Sequence, residues 1–185
     1  MTYYGPKEMA ASFRTVRANT LKIAEEIPED KYTFRAAPGC RSVAGTLVHI
    51  ALGARLQEQV HIIEHRDTLV GFDFFAFMGK QAAEEQVARS KAEILELLRA
   101  EGEKYSQALE GLSETVLAEG VQYPQGMVPP VKSRFEMMIS PKEHEMHHRG
   151  QLMLVQRMLG MVPPLTRHMQ ERIAAMKAAA AGQTS

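Results

Sequence analysis

A seam of positions spaced three and four residues apart runs from His144 through His148, Leu152, Val155 and Leu159, and its first two members are histidines. That spacing belongs to an α-helix turned toward a core. The rest of the chain must therefore cover a helical stripe that begins with two imidazoles, and a neutral ring buried without hydrogen-bond partners is costly. Residues four apart on a helix hold their Cβ atoms about 6 Å from each other, so one turn can supply two ligands to a divalent metal. A hydrogen-bonded pair of core histidines is the plainer alternative.

A second inward stripe carries a third histidine. Between Ser42 and Leu52 the chain is apolar and helical in pattern, and Gly45, His49, Leu52, Leu56 and Ile63 share one face. Two such helices side by side would bring His49 opposite His144 and His148. Three protein ligands with a position left open are the arrangement of a catalytic metal site, whereas structural zinc is closed by four. Zinc and nickel both suit three imidazoles, which do not choose among first-row divalent ions. Gln151, seven residues after His144, is placed to support the site or contact substrate, and helix–helix hydrogen bonding accounts for it equally well. No catalytic residue beyond the ligands is singled out. His61 and His65 fall about 120° and 160° around their helix from His49, which reads as a solvated pair. His147 is turned by about 100° from His148 and reads as a packing or hydrogen-bonding residue, and His168 has no evident partner.

Four long helices are expected, followed by a fifth. The first spans about Pro6 to Glu26, with Phe13, Val16, Thr20, Ile23 and Ala24 as its seam; the second is capped by Ser42 and runs to about His65. The third extends from roughly Gly79 to Leu109 through Val87, Ile94, Leu98 and Tyr105. The fourth starts near Lys132, passes Pro141 with a kink, and ends at Gly160. A fifth covers about Pro164 to Ala179, before a frayed Gly-Gln-Thr-Ser tail. No β-alternation of useful length and no repeat is present. The expectation is one all-α domain over residues 1–185, a four-helix bundle with an extra C-terminal helix. Two connections, Arg66–Met78 with four phenylalanines and Gly111–Val131 with three prolines, are long enough to shape a pocket mouth.

Composition narrows the partners. Lys plus Arg and Asp plus Glu balance at 22 each, so no global field favours nucleic acid or an anionic membrane surface. A small-molecule substrate fits better. The single cysteine, Cys40, excludes an internal disulfide and a thiolate zinc cluster and suits a cytoplasmic setting; its plain reading is a solvent-side or packing residue. No run approaches the ~20 apolar residues of a membrane span, and the N-terminus lacks a signal-peptide pattern. The twelve methionines read as fillers of core gaps. Phe72, Phe74, Phe75 and Phe77 form an apolar cluster suited to a homodimer interface.

His144-Glu145-x-x-His148 also matches the zincin motif, with Glu145 as general base. That reading needs a downstream ligand, for which His168 or Glu171 would have to serve. Gln151 occupies the position where the metzincin pattern needs glycine, and no strand is apparent to form a protease cleft.

The text His144-Glu145-Met146-His147-His148-Arg149-Gly150-Gln151-Leu152 strongly resembles the fourth-helix signature of the DinB/YfiT-like family. Residues 32–43 followed by Leu47-Val48-His49-Ile50-Ala51 resemble the approach to that family's first metal histidine, and residues 157–165 resemble its close. The resemblance covers about Phe13 to Leu165. It implies an up-down-down-up four-helix bundle, usually a homodimer, with a divalent metal held by His49, His144 and His148. Relatives transfer thiol cofactors such as mycothiol or bacillithiol, or act in thiol-dependent isomerisation. The chain departs from them at Arg41, where an aromatic residue is common, and at Gly53, where an acidic one is common. A metal with open positions favours the thiolate of a bound thiol and needs no protein cysteine. The function expected is metal-dependent transferase or related chemistry with a low-molecular-weight thiol as cosubstrate. The alternatives are a non-catalytic metal- or ligand-binding stress protein and, more distantly, a metallohydrolase.

Overall fold

The computed structural model describes residues 4–182; both termini, including the last three residues of the expected tail, lie outside that range. Helix α1 spans Pro6–Glu26, α2 Val43–Leu52, α3 Arg55–Gln57, α4 Phe74–Glu85, α5 Lys91–Glu110, α6 Glu114–Ala118, α7 Arg134–Met158 and α8 Pro164–Gly182. Side-chain pairings give the directions of the four long elements. Arg14 meets Glu103 and Glu110 while Glu25 meets Arg99, so α5 runs against α1. Arg17 meets Glu145, and Glu26 meets Arg167 just beyond α7, so α7 runs with α1. Ala54 packs with Met9 and Phe13 whereas Val43 packs with Ile23, so α2 also descends. The order is up-down-down-up.

Two apolar clusters fill the bundle. One gathers Ile23, Tyr32, Leu47, Ile50, Leu98 and Leu152; the other gathers Met9, Phe13, Tyr105, Leu109 and Met138. Between their levels on α1 and α7 lies a buried ion pair. Arg17 Nε donates to both Glu145 oxygens at 3.0 Å, Nη2 approaches Oε2 at 2.9 Å, and Nη1 donates to the Leu98 carbonyl at 2.6 Å. Gly102 makes room for this crossing, because a Cβ there would lie 2.8 Å from Arg17 Cγ. Two charges out of water persist only when paired and hydrogen-bonded this fully.

The expected third helix is two helices. Ser90 starts α5 with a capping box, its Oγ accepting from Glu93 N and Glu93 Oε2 accepting from Ser90 N, and Val87 lies exposed in the turn. The second helix is also interrupted. After Leu52 it re-forms as α3 and then as a π-helical turn over Glu58–Ile63. That lower pitch breaks the angular count from His49. His61 is consequently 1 % exposed rather than solvated, and Ile63 is exposed rather than part of the inward stripe. Arg134 donates to His61 Nδ1 at 3.0 Å, and His61 Nε2–H donates to Gln57 Oε1 at 3.0 Å. The long 111–131 connection contains α6 and the first strand of a small antiparallel pair, β1 Gly120–Gln122 with β2 Val131–Ser133.

Helix α7 continues through Pro141. A proline leaves the carbonyl four residues back without its N–H, and that carbonyl, Met137 O, accepts from Ser140 Oγ at 2.7 Å. The next carbonyl, Met138 O, accepts from the buried Tyr105 hydroxyl at 2.5 Å. At its far end α7 closes as expected on Gly160 (φ 78°), with Gly160 N bonding Arg157 O and Met161 N bonding Gln156 O. Its most buried face is Met138, Pro141, Glu145, Leu152 and Gln156. His144 and His148 stand on the shoulder of that face rather than at its centre.

Candidate metal centre

His49 on α2 faces His144 and His148 on α7. The three Nε2 atoms converge, with His144 Nε2 3.0 Å from His49 Nε2 and 3.1 Å from His148 Nε2. The other ring nitrogens decide the tautomers. His49 Nδ1–H donates to Glu85 Oε1 at 2.7 Å, and His148 Nδ1–H donates to Gln151 Oε1 at 2.8 Å. Both of those Nε2 atoms are then bare lone pairs. His144 Nε2 can offer one hydrogen to one of them, which leaves at least one lone pair without a donor. A cation removes that conflict. These three residues are the one group of potential metal-binding side chains that comes together among the described residues.

The two rings on α7 are biased toward the metal-binding protonation state. Burial pushes His144 down to about 4, helped by its neighbours His148 and His49, and burial lowers His148 against the opposing pull of the Gln151 hydrogen bond. Neutral imidazole is the form that ligates. Space for the cluster comes from Gly53, whose hypothetical Cβ would lie 2.9 Å from His144 Nδ1. The departure at position 53 is thus a steric fit to the second ligand.

The DinB family model matches residues 1–178. The chain belongs to the DinB family. It is similar in fold to a DinB-like protein from Bacillus subtilis, at 22 % identity and TM-score 0.62, covering 84 % of this chain and 93 % of that one. A DinB-like protein from Bacillus cereus aligns at 16 % identity and TM-score 0.63, covering 85 % and 94 %. No curated protein matches in sequence.

In this DinB member the histidine supported by a carboxylate was not evident from its sequence. Glu85 ends α4, inside what the pattern suggested was one continuous polar helix face; the turn before Ser90 sets it against α2. It bridges two groups, since Glu85 Oε2 also lies 3.5 Å from Arg41 Nη2. A ligand histidine that donates its second N–H to a carboxylate is fixed in orientation and made a stronger donor. Gln151 accepts from His148 with its Oε1, and its amide also donates to Nε2 of the exposed His147 at 3.1 Å.

The zincin reading fails on Glu145. Its carboxylate is 1 % exposed and committed to Arg17, so it cannot activate water beside the triad. His168 and Glu171 are exposed on α8 and do not join the cluster. Beside His148 opens a cleft of about 350 Å³ lined by Cys40, Arg41, Gln151, Leu152 and Val155 among others. Its size suits a small molecule. No helix among the described residues is long and apolar enough to cross a membrane.

Proposed function

We propose that this DinB-family chain is a metal-dependent enzyme in which His49, His144 and His148 hold one divalent ion, zinc or nickel, and a low-molecular-weight thiol is cosubstrate in transferase or related chemistry on a small molecule. The observation that carries the reading is the convergence of three Nε2 lone pairs beside an open cleft. Three ligands leave the ion room for an exogenous group, and a bound ion supplies the positive charge that favours thiolate over thiol. The chain's own residues do the rest. Glu85 and Gln151 fix the tautomers, Gly53 admits the His144 ring, and Leu152 and Val155 make the cleft wall apolar. The open cleft favours this reading over a closed structural site.

Cobalt(II) loading tests it, because thiolate coordination adds a near-ultraviolet charge-transfer band. Titration with 2-mercaptoethanol should produce a saturable band in the wild type, and His148→Ala should abolish it. Stable metal binding with no thiol-dependent band would overturn the thiol chemistry.

A further inference from the structure

The cleft beside the triad is not chemically uniform. Ala36, Val43, Leu154 and Val155 line one part of it, and Arg41 borders it while also lining the neighbouring cleft that holds Glu85. Arg41 is half-exposed, and its one ion pair among the described residues is the 3.5 Å approach to Glu85. It makes no hydrogen bond there, which leaves its donor fork free. The contrast with Arg17 is direct: that guanidinium is buried and its donors are spent on Glu145, Leu98 O and Ile50 O. Glu85 meanwhile is shared, with Oε1 held by His49 at 2.7 Å. One carboxylate therefore offsets Arg41 alone, and a divalent ion among three neutral imidazoles would leave the cleft strongly positive.

We infer that Arg41 is a specificity-determining residue of this site and that the substrate or cosubstrate carries a carboxylate on a short apolar body, with its thiol toward the triad and its carboxylate on the Arg41 guanidinium. A planar fork with unused N–H groups is matched by a carboxylate in two parallel hydrogen bonds, a geometry an ammonium cannot copy. The apolar wall between His148 and Val155 takes the connecting carbons. This inference rests on the thiol-binding reading of the triad and adds the charge of the ligand to it.

The test uses full-length cobalt-loaded protein and two probes of equal length, 3-mercaptopropionate and its uncharged amide, with the charge-transfer band as readout. The wild type should bind the carboxylate about tenfold more tightly than the amide, the scale of a charge-assisted hydrogen bond at a partly exposed site. Arg41→Gln should bring the two affinities together while retaining its metal, and Arg41→Lys should keep part of the preference. Equal affinities in the wild type would overturn the anionic-ligand inference with the thiol reading intact. A preference that survives in Arg41→Gln would overturn the assignment to Arg41. Failure of both probes to give a band on metal-loaded protein would overturn the inference together with the reading beneath it.

Discussion

A methyl group at position 53 would press on the ring that stands between the other two ligands, so Gly53→Ala measures how tightly the site is built. The hypothetical Cβ lies 2.9 Å from His144 Nδ1 and 3.2 Å from Cε1, against a ring with little freedom at half-burial. We expect metal affinity to fall by about tenfold or more, the usual scale for disturbing the residues that orient ligands, measured by chelator competition. Unchanged affinity would mean that the ring has room to move. His61 makes a different residue-scale prediction. Burial and the adjacent Arg134 push it down to about 4, whereas the unfolded chain takes its proton near 6.5. The unfolded state then binds more protons between those values, so folded stability declines as pH falls from about 6.5 to about 4, by up to roughly 3 kcal/mol. Urea unfolding at pH 7.5 and 5 should show a steeper loss in wild type than in His61→Gln; equal losses would contradict the assignment. The triad was legible because its spacing survives any small error in helix ends. His61 was not, because an interrupted helix and a π turn invalidate a constant 100° step, and Glu85 was hidden inside an expected helix that in fact stops there.

The element that carries two of the three ligands depends on a local repair. Ser140 donates to the carbonyl that Pro141 deprives of its N–H, so Ser140→Ala should cost about 1–2 kcal/mol in chemical denaturation, as for an acceptor on a buried residue left unpaired. A neutral outcome would show that solvent satisfies Met137 O instead. The same helix shows how one sequence motif can mislead and inform together. The pattern His144-Glu145-x-x-His148 suggests a protease base, yet its glutamate ties α7 to α1 through Arg17. Glu145→Gln should therefore destabilise by several kcal/mol, of the order seen when one partner of a buried pair is removed, while folded protein still binds metal. Loss of activity at unchanged stability would instead favour a chemical role. The capping box at Ser90 and Glu93 was readable, but the apolar spacing through Val87 and Ile94 bridged it with a false seam. The close of α7 on Gly160 was legible because a C-terminal glycine is a strictly local signal, whereas its start followed from the helix-forming run Arg134–Ile139 even though Ser140-Pro141-x-Glu143 imitates a cap; the cap in the structure is Ser133 with Glu136.

The molecule as a whole sets α2 and α7 side by side against the two cores that α1 and α5 help to fill, so the histidine cluster is a property of the bundle rather than of any segment. The up-down-down-up order was legible through resemblance; the polar layer between the cores was not, since Arg17 and Glu145 lie far apart in sequence. Assembly beyond one chain is a proposal. The phenylalanine cluster divides, with Phe72 and Phe77 packed on each other at 5.9 Å while Phe75 is 86 % exposed and Phe74 is also exposed. A homodimer through that face should scatter light at about twice 20.7 kDa, and a Phe74→Ser, Phe75→Ser double variant should lower the mass; a wild-type monomer contradicts the dimer. An ion shared between α2 and α7 is measured by elemental analysis of protein purified without a metal-affinity column, with folding checked by circular dichroism. About one divalent ion per chain is expected in wild type and in His147→Ala, with near-complete loss in His49→Ala, His144→Ala and His148→Ala. Folded His49→Ala protein with its full complement of metal would contradict it, because no ion shared between α2 and α7 can survive the loss of the only ligand α2 supplies.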